Sequence, residues 1–136
     1  MESIALAAEP ESVGRARRFV AELLVARNRD SSLAVLLTSE LVANVVRHAQ
    51  TDLTVAIRFD DCVRIEVHDG AAATEAFREL IAGAPTSVPA DSPGGRGLGL
   101  VRALASRFGL ADEPGVWNGK IVWFELDFDN LAMPYI

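Results

Sequence analysis

An α+β domain, a two-layer sandwich with helices on one face of a mixed, mainly antiparallel sheet, is the fold class this sequence predicts. Three observations predict it. Two segments within the first fifty residues repeat apolar side chains at three- and four-residue steps. Two shorter segments then alternate with period two. The order helix, helix, strand, strand, lid, helix, strand, strand sets the helices apart on one face of the sheet. At 136 residues the chain has the size of one domain, 1–136, and can bury a core without disulfides or a structural metal.

The run Glu9-Pro10-Glu11-Ser12 reads as a helix start. Val13, Ala16, Val20, Leu23 and Leu24 then form the buried stripe of a first helix over 13–27. Asn28 to Ser32 is a polar break whose side chains can cap a second helix, carried to Ala49 by Leu33, Leu36, Leu37, Leu41, Val45 and Val46. There the period changes to two. Leu53, Val55, Ile57 and Phe59, then Val63, Ile65 and Val67 beyond Asp60-Asp61-Cys62, predict an antiparallel hairpin with one buried face. The other face carries Arg58, Arg64, Glu66 and Trp123 and is expected to meet solvent or a partner.

The segment 70–93 contains a short helix at 75–82 and then three prolines among small polar residues. A lid-like segment is expected there. Gly94 to Gly99 opens a third helix with Leu100, Val101, Leu104, Ala105 and Phe108 on its buried side, and Gly109 is expected to end it as a left-handed cap. Val116-Trp117, the turn Asn118-Gly119 and a strand over 120–128 complete the series.

Composition excludes several classes. The formal net charge of −6 argues against direct nucleic-acid binding, which needs a basic face. No apolar run approaches the roughly 20 residues of a membrane span. The acidic N-terminal segment lacks the basic start of a secretory signal, so a cytoplasmic location is expected. Cys62 is the only cysteine and is expected to fill space at a strand start. Arg15, Arg17, Arg18, Arg27 and Arg29 are expected on a solvated helix face.

Three features could carry chemistry. Glu40, Asn44 and His48 recur at four-residue steps on the second helix and so share one side of it. Such a set can supply a general base, an oxygen for Mg2+ and a donor to phosphate. Asp69 ends a buried strand and is followed by Gly70 and three alanines. A carboxylate beside small residues can accept from a flat amino-bearing ring such as adenine. Gly95, Gly97 and Gly99, with Arg96 and Leu98 between them, lead straight into a helix, where bare backbone and the helix N-terminus favour a polyphosphate. The dinucleotide fingerprint fails because Leu100 stands where its third glycine belongs. A P-loop is excluded because the single lysine, Lys120, is remote from the glycines.

Taken together, in this order, these features resemble the GHKL (histidine kinase-like, Bergerat-fold) ATPases. The wording Ser39-Glu40-Leu41-Val42-Ala43-Asn44-Val45-Val46-Arg47-His48-Ala49, Gly95-Arg96-Gly97-Leu98-Gly99-Leu100-Val101 and Val122-Trp123-Phe124-Glu125-Leu126 is similar to the stand-alone anti-sigma-factor serine/threonine kinases of actinobacterial type. The resemblance runs from about Arg15 to Leu126. It implies ATP and Mg2+ as ligands, with Glu40 as general base, Asn44 as the metal ligand, Asp69 as the adenine-binding carboxylate and Gly95, Gly97 and Gly99 as the glycine loop. It also implies a sigma factor and an anti-anti-sigma antagonist as partners, and a homodimer.

The chain departs from the family pattern at Ala71 and Ala73, where glycines are usual, and at Gly119-Lys120-Ile121, where the family carries Gly-x-Thr. An added methyl narrows the pocket and an isoleucine donates no hydrogen bond, a loss of roughly 0.5–3 kcal/mol in a buried site. The alternative expectation is therefore a weakly catalytic or inactive module that sequesters a sigma factor or its antagonist.

Overall fold

A computed structural model describes residues 1–82, 95–111 and 119–133. The chain begins with β1 (Glu2–Leu6) and α1 (Glu11–Val25), then α2 (Ser32–Asn44), which continues into a π-helical turn (Val45–Ala49). The hairpin β2 (Leu53–Phe59) and β3 (Val63–Asp69) follows, then α3 (Glu75–Ala82), α4 (Gly95–Leu104), β4 (Arg107–Ala111), β5 (Lys120–Leu126) and a 3-10 turn (Phe128–Leu131). The sheet order is β1-β2-β3-β5-β4, and every neighbouring pair is antiparallel.

The buried side chains explain why the layers form. On α1, Ser12, Ala16, Val20 and Leu24 repeat every fourth residue and are all buried. On α2, Ala34, Leu37, Thr38, Leu41 and Val42 cover a wider arc, because this helix packs against α1, α4 and β3 together. The sheet answers with a strict alternation. Val63, Ile65, Val67 and Asp69 of β3 and Lys120, Val122, Phe124 and Leu126 of β5 all point inward. Phe124, fully buried, is the largest side chain of that layer.

Helix starts obey local chemistry. The Ser12 hydroxyl donates to the Ala7 carbonyl at 2.7 Å, fixing the entry to α1 where Pro10 opens it. The Asp30 carboxylate accepts from the Ser32 amide at 2.8 Å, an Asx turn that leads into α2, whereas the N-cap residue Ser31 makes no side-chain capping bond.

Three expectations differ from the structure. The segment at Glu2–Leu6 forms an edge strand on β2, which its short apolar content does not announce. The third helix ends at Leu104, and Gly109 sits within β4 instead of capping a helix. Ser106 donates its amide to the Glu125 carbonyl at 2.9 Å, which turns the chain onto the sheet edge. Gly109 is needed there because the Trp123 ring fills the space a β-carbon would take, 2.6 Å from its ideal position. Phe128 leaves the last strand and begins the 3-10 turn. The lid over 83–94, the strand at 116–117 and residue 118 of the Asn-Gly turn lie outside the described residues.

The outer sheet face is a lattice of charge. Arg64 bonds Glu66 at 2.8 Å and Glu125 at 3.2 Å, Glu66 meets His68 at 2.9 Å, and Arg107 reaches Glu125 and Asp127. The Arg64 guanidinium also lies over the Trp123 ring, 4.1 Å from its centroid. Arg27 and Arg29 cover Phe59 and Phe128 in the same way, so part of the arginine cluster shields aromatic surface. No helix among the described residues is long and apolar enough to cross a membrane.

Candidate functional site

A cavity of about 180 Å³ lies under the C-terminal end of α2. The helix side contributes Leu41, Asn44, Val45 and His48; the sheet contributes Val67, Asp69, Lys120 and Val122; Phe77 of α3 and Ala71, Ala72 and Thr74 complete the wall. Leu41, Val45, Val67 and Val122 belong to the core, so the floor is apolar and already packed.

The sequence places Asn44 and His48 one α-turn apart. The observed π-helical turn from Val45 widens the spacing at this point, ending at Gln50, which takes a left-handed φ of 56° and donates its amide to the Val45 carbonyl at 2.7 Å. Both side chains still line the cavity. Glu40, one turn earlier and half-buried, is not among the lining residues. Its neighbour Leu41 does line the cavity, so Glu40 stands beside the cavity on a different side of α2.

Asp69 reaches the cavity because it is the last inward position of β3, and it is only 2% exposed. Its Oδ1 accepts the Ala71 amide at 2.8 Å, which folds the small-residue segment back over the strand end. Gly70 faces elsewhere: its amide donates to the Thr51 hydroxyl at 2.8 Å, and it borders a shallow depression with Thr51, Asp52 and His68.

The residue the sequence did not assign is Lys120. It is the register partner of Asp69, and its ammonium donates to Asp69 Oδ1 at 3.0 Å and to the Ala71 carbonyl at 3.3 Å, with the Phe77 ring centroid 5.1 Å away. Ile121 departs from the expected threonine on the face of the sheet away from Asp69. Ile121 points to the outer face, opposite Ala111 and His68, so a side chain there does not reach Asp69. The signal was available in the period of β5: Lys120, two residues before Val122, shares the inward face.

The glycines expected to form a loop, Gly95, Gly97 and Gly99, are the first turns of α4 itself, which packs against α2. Gly99 is exposed, with open space around the position of a β-carbon. Leu98 is 3% exposed and belongs to the core, so its part in any ligand contact is through the main chain. The Arg96 side chain lies outside the described residues.

Among the described residues no three His, Cys, Asp or Glu side chains cluster as a metal cage. Asn44 offers one neutral oxygen at the cavity wall. That suits a hard divalent cation completing its shell with phosphate oxygens and water. The apolar floor and the single carboxylate suit a flat heteroaromatic ring carrying an amino group.

Comparison with known proteins agrees with this architecture. The family model described as "Histidine kinase-like ATPase domain" matches residues 6–125. No curated protein matches the chain. The structure of the RsbU and RsbW domains of Rv1364c from Mycobacterium tuberculosis is similar over 98% of this chain, with a TM-score of 0.61 and 18% sequence identity. This chain spans 34% of that structure's length. The match over most of the sequence, on a two-layer α+β sandwich with its cavity between helix and strand end, identifies the family: the chain belongs to the histidine kinase-like ATPase domains.

Proposed function

We propose that this chain is an ATP- and Mg2+-dependent serine/threonine protein kinase of the anti-sigma-factor type, regulating transcription through a sigma factor and an antagonist protein. The observation that carries the proposal is the convergence of Asn44, His48 and Asp69 on one cavity, in a chain whose family is ATP-using. The RsbW domain named in the similar structure supports the kinase branch.

Each residue has a stated task. Asp69 accepts from the amino group of the base, and Val67, Val122 and Leu41 hold its plane. Asn44 holds the metal through its carboxamide oxygen, and His48 donates to a phosphate oxygen. The first turn of α4, with Gly95, Gly97 and Gly99, presents amide hydrogens and the helix dipole toward negative charge. Glu40, one turn before Asn44, takes the proton of the incoming hydroxyl. Bound Mg-ATP supplies the phosphoryl group and the counter-charge that disperses its negative oxygens. The charged outer sheet face is the surface proposed for a second copy or a partner.

The test has two stages. Titration calorimetry of the chain with Mg-ATP is expected to detect binding that Asn44→Ala weakens only when magnesium is present. Labelled γ-phosphate is then expected to reach a serine or threonine of a protein captured from the source cell, and not with Glu40→Ala. Equal labelling by both proteins would remove Glu40 from its role.

One observation favours a second reading, a binding module that works without nucleotide. Lys120 already engages Asp69, so the carboxylate is partnered before any base arrives.

A further inference from the structure

The Asp69–Lys120 pair sits inside the cavity wall, and both side chains are largely removed from water, 2% and 10% exposed. Asp69 Oδ1 accepts two donors at once, the Ala71 amide at 2.8 Å and the Lys120 ammonium at 3.0 Å. An amino-bearing base brings a third donor to the same carboxylate. Its amino group is neutral, whereas the ammonium is charged and makes the stronger hydrogen bond in a low-dielectric wall. The Ala71 amide and the Lys120 ammonium already occupy Oδ1, so an amino group directed at that oxygen competes with the ammonium, and the resident donor holds the advantage there.

Resting on the nucleotide-binding reading, we infer that Lys120 is a built-in competitor for the base-binding carboxylate: an adenine amino group reaches Asp69 Oδ1 only as the Lys120 ammonium leaves that oxygen, so Lys120 lowers the nucleotide affinity of the pocket. The exchange is physically feasible. Lysine has a flexible four-carbon stem, and its other contacts are a long 3.3 Å bond to the Ala71 carbonyl and the face of Phe77. Both of those partners lie on the segment after β3, outside the sheet. A threonine or other short neutral side chain at position 120 would leave Asp69 open. The lysine makes the empty pocket self-satisfied.

Because the chain has one lysine, its ammonium can be followed directly in the unaltered protein. With lysine-selective isotope labelling, the side-chain nitrogen resonance is expected to be seen in the free protein and to shift or vanish as Mg-ATP saturates it. A resonance that stays in place at saturation would overturn the inference. In parallel, Lys120→Met keeps the apolar stem and removes the charge. Its affinity for Mg-ATP, and for adenosine alone, is expected to rise by about tenfold or more, the effect of one charge-assisted hydrogen bond. Unchanged or weaker binding by Lys120→Met would show that Lys120 helps the ligand or ignores it, and overturns the inference while the nucleotide reading stands. No Mg-ATP binding by either protein would overturn both.

Discussion

Glu40, on α2, and Leu98, in the glycine run that opens α4, illustrate how differently two candidate site residues can act. Glu40 is half-buried on α2, with neither a packing duty in the core nor a place in the cavity wall. Glu40→Gln is therefore expected to leave Mg-ATP binding and thermal stability nearly unchanged while lowering phosphoryl transfer by about 10²–10⁴-fold, the usual scale of general-base removal. Calorimetry and a phosphate-transfer assay separate the two effects. Leu98 has the opposite character. Its side chain is packed in the core, so Leu98→Ala should cost about 2–5 kcal/mol in urea unfolding, and a loss of activity there reports stability first. Residues that line the cavity were visible in the sequence where type and spacing coincide, as at Asn44, His48 and Asp69. Lys120 was not, because its importance comes from facing a residue 51 positions away.

Among the elements, β4 shows local and tertiary forces pulling apart. Leu104, Ala105 and Phe108 continue a helical period, yet the chain turns at Ser106 and pairs with β5. Pairing wins because Phe108 and Leu110 pack against the core from the sheet edge, opposite Phe124 and Val122. Gly109 is the condition for it: Gly109→Ala puts a β-carbon into the Trp123 ring and disturbs the Arg64 stack behind it. We predict a loss of about 1–3 kcal/mol, read by chemical denaturation, with a change in tryptophan fluorescence of the folded state. The helices and the β2–β3 hairpin were legible because their apolar periods are long and uninterrupted. The π-helical turn was not, since Val45–Ala49 fits an α-period equally well and only the packed helix end widens it.

Across the whole molecule, the outer sheet face couples stability to pH. Hydrogen bonds from Arg107 lower the carboxyl of Glu125 against the opposing effect of burial, and Arg107 lowers Asp127 in the same way. At Glu66 burial pushes the carboxyl up, but the bonds from Arg64 and His68 outweigh it and the net direction is down. In the unfolded chain these groups return to ordinary values near pH 4 and bind protons that the folded chain does not. Their contribution is thus complete above that range and is lost as pH falls through the lower folded values. Thermal melts are expected to show a midpoint that drops between about pH 5 and pH 3. Glu125→Gln should make that slope shallower; an unchanged slope would place the acid sensitivity elsewhere.

Alternating and helical periods and the chain length were enough to determine a two-layer α+β domain, and residue type and spacing singled out Asn44, His48 and Asp69, which line one cavity. Those are consequences of local spacing, which one-dimensional order contains. Tertiary structure alone decided that Lys120 faces Asp69, that Ile121 turns away from it, that Gly109 makes room for Trp123 and that the N-terminal segment closes the sheet. Each of these depends on strand register, which is set by how the faces pack and not by any single segment.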